Sequence, residues 1–263
     1  MLRHRLLPGL ILLATLPAYA QDAAPADGWT GTGELGFAMS RGNARSENLN
    51  ARLAFGKETA QWKHEWYAAA LRAKGEVTGD FDGDGTDEER YELNANRYEL
   101  GAASAYKFND RSYVIGSGRY EHDEFSAYDY QATLSIGYGY RFVDNDRTHL
   151  SAEIGPGFRR ARDAATGETE NGAIGRARVN FSHKLTDNTE LVDTLLVESG
   201  SDNTFAQNDL GLVVAMNEAF ALKAGLQVRY NSDVDAAAGV KKTDTLTTIN
   251  LVYNFRGSRG AGA

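Results

Sequence analysis

The chain of 263 residues has no cysteine, only four prolines and, after its first twenty residues, no run of eighteen apolar residues. Without cysteine there is neither a disulfide bond nor a lipid-modified N-terminal cysteine. Without a long apolar run, no later segment is suited to cross a bilayer as a helix. The net charge of −8 makes nucleic acid a poor partner, and we predict none. A soluble exported protein and a transmembrane β-barrel both remain, because barrels are also polar on average.

The first twenty residues, MLRHRLLPGLILLATLPAYA, predict a secretory signal peptide. A basic start precedes an apolar run at residues 6–16, and AYA at 18–20 is suited to cleavage by signal peptidase. A short membrane anchor is the alternative, but a proline and a glycine interrupt the run, which is too short to span. We therefore predict a signal peptide at 1–20 and a periplasmic N-terminal segment at 21–28.

The strongest pattern in the rest of the chain has a period of two residues. In AYDYQATLSIGYGYRF, residues 127–142, every second side chain is apolar or aromatic and those between are polar or glycine. Successive side chains of a β-strand point to opposite faces, so this segment predicts a strand with one apolar and one polar face. The predicted apolar face consists of Tyr128, Tyr130, Ala132, Leu134, Ile136, Tyr138, Tyr140 and Phe142.

Turn signals divide the chain into about twelve such strands, with a range of ten to fourteen. Tight polar turns such as NDRS, DNDR and TDNT alternate with longer connections, which is typical of outer-membrane barrels with short periplasmic turns and long outer loops. We predict one antiparallel all-β transmembrane barrel over residues 29–255. The predicted strands are 29–40, 45–57, 61–75, 90–108, 112–125, 127–143, 147–162, 172–185, 189–200, 203–216, 219–231 and 243–255.

A soluble β-sandwich also alternates, but two features favour a barrel in the outer membrane of a Gram-negative cell. Aromatic residues occur at both ends of the apolar faces, as at the two lipid–water interfaces. The opposite faces carry charges of both signs, which a dry core would not accept unpaired but a barrel lumen can. The predicted lumen charges are Glu34, Arg52, Glu99, Arg141, Glu153, Arg159, Arg176, Arg178, Lys223 and Arg229.

Those lumen charges leave two interpretations open. Eight strands enclose a lumen filled by side chains and sixteen leave an aqueous channel, and twelve lie between these sizes. One interpretation is a plugged or very narrow lumen held by Arg–Glu pairs. The other is a porin-like pore for small solutes, for which a cluster of Arg159, Arg176 and Arg178 predicts anion preference.

The last predicted strand carries an alternating apolar series that ends in an aromatic residue: Ile249, Leu251, Tyr253 and Phe255. This series resembles the C-terminal signal read by the barrel-assembly machinery of Gram-negative bacteria. We therefore expect that machinery and periplasmic chaperones as partners during biogenesis, and outer-membrane lipids with lipopolysaccharide afterwards. Residues 256–263, RGSRGAGA, predict a flexible periplasmic tail.

The opening strand pair, GWTGTGELGFAMSRGNARSENLNARLAF at 28–55, resembles a bacterial family of unknown function described as salt-induced outer-membrane proteins. The matching features are Trp29, the run ELG at 34–36, the Gly42-Asn43 turn and the closing YNF at 253–255. The resemblance spans residues 28–255. It implies an outer-membrane barrel with no established catalytic role, and the family description suggests envelope adaptation to salt.

The segment DFDGDGTDEE, at residues 80–89, has the spacing of the first half of an EF-hand calcium loop. Gly85 falls at the turn position, but position 12 is Tyr91 and no helical pattern flanks the loop. A solvated acidic loop and a weak calcium site in residues 80–91 both remain, on what is predicted to be the longest outer loop. The candidate ligands are Asp80, Asp82, Asp84, Thr86 and Glu88; no other cofactor is predicted.

A lipid-modifying enzyme would need a nucleophile, a base and an orienting group near the membrane interface. Of the histidines, His122 has Ser126 nearby in sequence, His149 lies in or beside a short turn, and His183 falls on an apolar face. None forms a recognisable catalytic motif. We predict a non-enzymatic envelope or salt-stress adaptation barrel; a small-solute channel and, less favoured, a lipid-modifying enzyme are the alternatives.

Overall fold

The computed structural model describes residues 28–40, 46–234 and 241–256. These residues form twelve β-strands, which pair in sequence order. Each strand pairs with its neighbour along the chain, and the first pairs with the last, so that the sheet closes into a barrel. The strands are β1 (Gly28–Ser40), β2 (Ser46–Glu58), β3 (Trp62–Gly79), β4 (Glu88–Lys107), β5 (Ser112–Asp123), β6 (Tyr128–Asp144), β7 (Thr148–Asp163), β8 (Thr169–Lys184), β9 (Thr189–Gly200), β10 (Thr204–Ala215), β11 (Phe220–Asn231) and β12 (Thr243–Arg256).

Closure of the ring confirms the predicted antiparallel barrel of about twelve strands. The closing pair joins β1 to β12 in antiparallel register, from Thr30 opposite Arg256 to Leu35 opposite Leu251. A closed ring leaves no strand edge unpaired, which is the condition for a sheet to lie in lipid. Within the described residues, no helix is long and apolar enough to span a bilayer. The predicted signal peptide at 1–20, most of the 21–28 segment, the Gly42-Asn43 turn and the tail after residue 256 lie outside the described residues.

One end of the barrel carries the short turns, and we call it the turn end; the opposite end is the loop end. Asn109, Asn145 and Asn217 begin three of these turns in the same way. The side-chain oxygen of each accepts hydrogen bonds from the backbone N–H groups two and three residues further on, at 2.8–3.0 Å. An asparagine that bonds its own backbone in this way fixes a tight reversal of the chain. The predicted asymmetry between short turns and longer loops holds only in part, because the loop end carries two short connections, residues 124–127 and 201–203, beside its longer ones.

The hairpin of β3 and β4 is longer than predicted. β3 continues to Gly79 and β4 begins at Glu88, whereas the sequence predicted that β3 ends at residue 75 and that β4 begins at residue 90. The connection therefore shrinks to residues 80–87, and the β11–β12 connection, residues 232–242, is longer. The prediction was wrong because the extension, residues 76–79 and 88–89, contains Val77 as its single apolar residue, which is too little to show an apolar alternation. An extra residue, Asn94, forms a bulge at the base of the extension.

The outer face is apolar and carries aromatic residues on ten of the twelve strands. Leu134, Ile154 and Ile249 are among its most exposed side chains. Such a face requires a lipid environment, because few soluble monomers expose so continuous an apolar surface. One outward aromatic from each of the ten strands is Trp29, Phe55, Trp62, Tyr98, Tyr120, Tyr138, Phe158, Phe181, Phe220 and Tyr253.

Tyr128 was predicted on the outer apolar face, and this prediction is wrong. Tyr128 pairs with Asp163 while Tyr130 pairs with Arg162, so Asp129 is an extra residue that reverses the alternation at the start of β6. The Tyr128 side chain turns into the barrel, where only 1% of it is exposed. Period-two alternation carries no sign of a bulge, and a single inserted residue moves every side chain before it to the other face.

Two inward tyrosines lie over glycines of the neighbouring strand. The Tyr67 ring covers Gly101, and the Tyr113 ring covers Gly139, each glycine being its tyrosine's register partner. A methyl group on either glycine would overlap the tyrosine ring. The glycines therefore allow large rings to lie flat against the inner wall, which fills the lumen without forcing the strands apart.

Candidate functional site

An ion pair crosses the full diameter of the barrel near the loop end. Glu121 on β5 accepts a hydrogen bond from Arg229 on β11, and these strands are six apart in the ring of twelve. Glu121 is 1% exposed and Arg229 is 3% exposed. The Nη1 atom of Arg229 also donates to Asp123 Oδ2 at 2.9 Å. The pair ties opposite walls together and occupies the middle of the lumen.

Arg119 and Phe205 extend the Glu121–Arg229 contact into a layer of side chains across the lumen. Arg119 donates to Glu121 Oε2 at 3.0 Å and to Glu198 Oε2 on β9 at 2.7 Å. The Phe205 side chain is fully buried, with the Arg119 and Arg229 guanidinium groups 4.6 Å and 5.3 Å from its ring centroid. A charged group is accepted in such a dry site only when it is paired and hydrogen-bonded, and these groups are. We call Arg119, Glu121, Asp123, Glu198, Phe205 and Arg229 the cross-lumen layer.

A second cross-lumen contact lies at the turn end. Glu58 Oε1 on β2 accepts hydrogen bonds from Lys107 on β4 at 2.8 Å and from Arg141 on β6 at 3.3 Å. Tyr113 on β5 reaches Glu153 on β7 with its hydroxyl at 3.2 Å. Side chains thus bridge the lumen at both ends.

Polar side chains line a cavity of about 470 Å³ in the lumen. Its wall includes Glu198 and Arg119 of the cross-lumen layer and Glu65 near the turn end. Arg52 lies over the Tyr67 ring, 4.3 Å from its centroid. Arg178 donates from Nε to Asn180 Oδ1 at 3.0 Å. In the part of the chain that the structure describes, neither arginine has a carboxylate oxygen within the 4.0 Å of an ion pair.

The ten predicted lumen charges all lie on the inner face, but in separate groups. Lys223 donates to both carboxylate oxygens of Glu34 at 3.0 Å. Glu99 accepts a hydrogen bond from Tyr67. Glu153 accepts one from Arg176 at 3.2 Å. Most of these contacts join strands that are neighbours or nearly so.

The three arginines predicted to form a cationic cluster do not form one. Arg159 is buried near the loop end, donates to the Asn203 carbonyl oxygen at 3.3 Å and lies 5.5 Å from the Tyr128 ring centroid. Arg176 is paired with Glu153, which leaves Arg178 facing the cavity. The prediction of one cluster was wrong because sequence spacing gives the face of a strand but not the partner across the lumen.

Sequence reasoning placed Arg229 in the lumen but missed its partners on β5. Arg119, Glu121 and Asp123 alternate along β5 and share one face, but the outward Tyr120 and His122 between them made the phase of this strand ambiguous. The charges on one face of β5 were the available signal, since three charged residues at alternate positions belong in the lumen rather than in lipid.

The acidic loop of the β3–β4 hairpin gathers three carboxylates. Asp80, Asp82 and Asp84 each place an oxygen within 4.8 Å of the others. Asp80 accepts backbone N–H bonds from Gly83 at 2.7 Å and from Gly85 at 2.9 Å, and the hydrogen bond from Gly85 is the largest cause that lowers the Asp80 pKa.

Of the two other candidate ligands, Thr86 lies within the loop and Glu88 lies just after it. The backbone N–H of Thr86 donates to Asp84 at 2.7 Å. Glu88 is the first residue of β4 and pairs with Arg90 at 3.1 Å. The structure therefore brings together the three aspartates of the candidate set but places Glu88 outside the loop.

The apolar series of β12 lies on the outer face next to the closing strand pair. Ile249, Leu251 and Tyr253 are exposed outward, and the Phe255 ring lies over Gly31 of β1 and 5.6 Å from the Phe55 ring. The residues predicted to direct assembly are therefore also those that pack where the barrel closes.

The four histidines that the structure describes differ in their contacts. His149 Nδ1 lies 2.6 Å from Asp144 Oδ1 beside the exposed β6–β7 turn, whereas two others contact hydroxyl groups. His64 Nδ1 lies 2.9 Å from Ser104 Oγ, and His183 Nδ1 lies 2.8 Å from Thr148 Oγ1. His122 packs on Tyr98, with ring centroids 4.9 Å apart. Among the described residues no carboxylate bonds to His64 or His183, so neither dyad has the third group that orients a catalytic base.

A closed antiparallel barrel with an apolar outer face and a polar lumen is the fold of bacterial outer-membrane proteins. Residues 33–255 match the family described as "Protein of unknown function, DUF481", and the chain belongs to this family. This match confirms the family resemblance read from the opening strands.

The chain is also similar to the uncharacterized protein YdiY of Escherichia coli (strain K12). The two are 26% identical over 262 residues, which cover 94% of this chain and 97% of YdiY. Among solved structures, an outer membrane channel from Pseudomonas putida F1 is 9% identical, covers 89% of this chain and 97% of its own, and has a TM-score of 0.51. The translocator domain of the autotransporter NalP from Neisseria meningitidis is 14% identical, covers 88% of each chain and has a TM-score of 0.46. The first of these structures supports the fold alone.

Proposed function

We propose that this protein is a non-enzymatic outer-membrane barrel whose lumen is closed to steady ion flow by the cross-lumen layer. The observation that carries the proposal is the buried Glu121–Arg229 pair, which joins walls six strands apart. Separating this pair would expose two buried charges at once, and breaking a buried pair is costly because each charge loses its compensation. Thermal motion alone therefore opens the lumen rarely.

Conductance of the refolded protein in planar lipid bilayers tests the closed lumen. We expect no steady single-channel steps from the unaltered protein. We expect steps from the double variant Glu121→Ala with Arg229→Ala, because truncation removes both side chains that meet on the axis. Glu88→Ala serves as the matched control, since it removes a carboxylate of an exposed ion pair outside the lumen. Steady steps from the unaltered protein would overturn the proposal.

A small-solute channel is the second candidate, and the cavity favours it. Arg52 and Arg178 face this space of about 470 Å³ without an ion-pair partner among the described residues. A pore that passes this cavity would therefore prefer anions. The reversal potential across a salt gradient measures that preference, and cation selectivity would exclude this form of the channel.

The placement in the cell and the envelope role belong to the same proposal. Cleavage of residues 1–20 predicts an exported protein that begins at Gln21, which N-terminal sequencing of the purified protein checks. Heat-modifiable migration on a denaturing gel after detergent extraction checks insertion in the outer membrane.

A role in salt adaptation predicts slower growth of a deletion strain at high sodium chloride, restored by the unaltered protein. Phospholipid hydrolysis by the purified barrel would contradict the non-enzymatic assignment.

A further inference from the structure

The outer face of the β9–β10 hairpin differs from the rest of the barrel. The ten other strands each place at least one aromatic residue outward, whereas β9 has no aromatic residue and the one aromatic residue of β10, Phe205, is buried in the lumen. Aromatic rings are favoured where a barrel wall meets the lipid interfaces. Their absence from two adjacent strands marks this wall as one that does not face lipid in the same way.

A polar pair lies on the same wall. Val192, Thr194 and Glu198 line the lumen, so Asp193 points outward. On the neighbouring strand Gln207 and Asp209 line the lumen, and Asn208 between them points outward. Asn208 Nδ2 donates to Asp193 Oδ1 at 2.8 Å. Leu195 and Leu210, which surround the pair, are exposed apolar side chains.

The pair leaves hydrogen-bonding groups at the surface. Asp193 keeps its second carboxylate oxygen, and Asn208 keeps its second amide hydrogen and its carbonyl oxygen, since the described residues supply one bond between the two side chains. Hydrocarbon offers no partner for these groups. Polar side chains that face the bilayer instead associate with one another across protein interfaces.

The unused groups are complementary to a second copy of themselves. A two-fold axis beside the pair brings the free amide hydrogen of one Asn208 to the free oxygen of the other molecule's Asp193, and the reverse contact follows by symmetry. Leu210 is the register partner of Asp193 on the β10 side, Phe181 is its partner on the β8 side, and Leu195 and Val228 flank Asn208. The aliphatic side chains on the β9–β10 side of the pair allow two such walls to pack together. We propose that the outer face of β9 and β10 is a dimer interface, and that its occupant is a second copy of this chain.

Site-specific cross-linking in native outer membranes tests the proposal, and a chain without cysteine suits it. Leu210→Cys places a thiol on the proposed interface, where Leu210 is 38% exposed. Leu100→Cys is the matched control, because Leu100 is 52% exposed on β4, six strands away from β10. With an oxidant or a short bis-maleimide, we expect Leu210→Cys to give a product of twice the protein's mass and Leu100→Cys to give monomer.

Monomer alone from both variants, or equal dimer from both, overturns the proposal. A product of Leu210→Cys with any other mass assigns the wall to a different protein and also overturns it. The double variant Asp193→Leu with Asn208→Leu supplies an independent readout. If two copies meet at the pair, the variant loses the cross-linked dimer when combined with Leu210→Cys, while heat-modifiable migration remains. If the cross-linked dimer persists without the pair, the two copies do not meet at Asp193 and Asn208, and the proposal is overturned.

Discussion

The cross-lumen pair makes the most specific stability prediction. Replacing Glu121 by Leu leaves Arg229 with Asp123 at 2.9 Å and Arg119 with Glu198 at 2.7 Å. Each cation therefore keeps one carboxylate, and we expect a loss of about 3 kcal/mol, the lower end for one partner of a buried pair. Replacing Arg229 by Met leaves Glu121 with Arg119, so we expect a similar loss of about 3 kcal/mol.

The double variant separates a direct contact from two independent losses. Without both charges, the pairs Arg119–Glu198 and Arg97–Asp123 remain, and two apolar side chains meet on the axis. Removing both partners leaves no uncompensated charge, so we expect a loss no larger than that of either single replacement, about 3 kcal/mol instead of about 6 kcal/mol, a coupling of roughly 3 kcal/mol.

Urea unfolding in lipid vesicles, followed by tryptophan fluorescence, measures these values. Trp29, Trp62 and Trp66 all lie on the outer face and pass from lipid to water on unfolding. The exposed Glu88–Arg90 pair is the control, for which we expect a coupling below about 1 kcal/mol. Additivity of the Glu121 and Arg229 replacements within about 0.5 kcal/mol would refute the contact across the lumen.

Four further predictions concern the wall, the acidic loop and the closing strands. Gly139→Ala is expected to lower the free energy of unfolding by about 1–3 kcal/mol, because the added methyl overlaps the Tyr113 ring. Hydrogen exchange of residues 80–87 should accelerate in Asp80→Ala with barrel stability unchanged, because the Asp80 carboxylate holds backbone N–H groups of the loop. The Asp80 pKa is lowered from its ordinary value of 3.8, so loop protection is present above pH 3.8 and is lost as the pH falls through that lowered pKa. A weak calcium site predicts binding heat in titration calorimetry that Asp82→Ala abolishes. Phe255→Ala is expected to slow assembly in cells more than folding into pure lipid vesicles.

Each of these four has an outcome that contradicts it. Tyr113→Ala should remove most of the penalty of Gly139→Ala, and an undiminished penalty would show that the ring is not the cause. Unchanged exchange in Asp80→Ala would mean that other contacts hold the loop. Absence of calcium heat in the unaltered protein would leave a solvated acidic loop. Equal slowing of Phe255→Ala in cells and in vesicles would assign this residue to packing against β1 and not to recognition by the assembly machinery.

The sequence alone determined the class of fold and most strand positions. Period-two alternation depends only on local geometry, because neighbouring side chains of a strand must point to opposite faces. The asparagine turns are local too, since each side chain bonds backbone groups two and three residues away. These features need no knowledge of distant residues, and the spans they predict differ from those of the structure mainly in the β3–β4 hairpin.

Tertiary structure decided which charges meet. Glu121 and Arg229 are more than one hundred residues apart in the chain, and only closure of twelve strands places them on opposite walls of one lumen. A single bulge at Asp129 turned Tyr128 from lipid to lumen, against the local pattern. Alternation assigns a face to each side chain, but the partner across the barrel depends on strand number, register and bulges, which are properties of the closed ring.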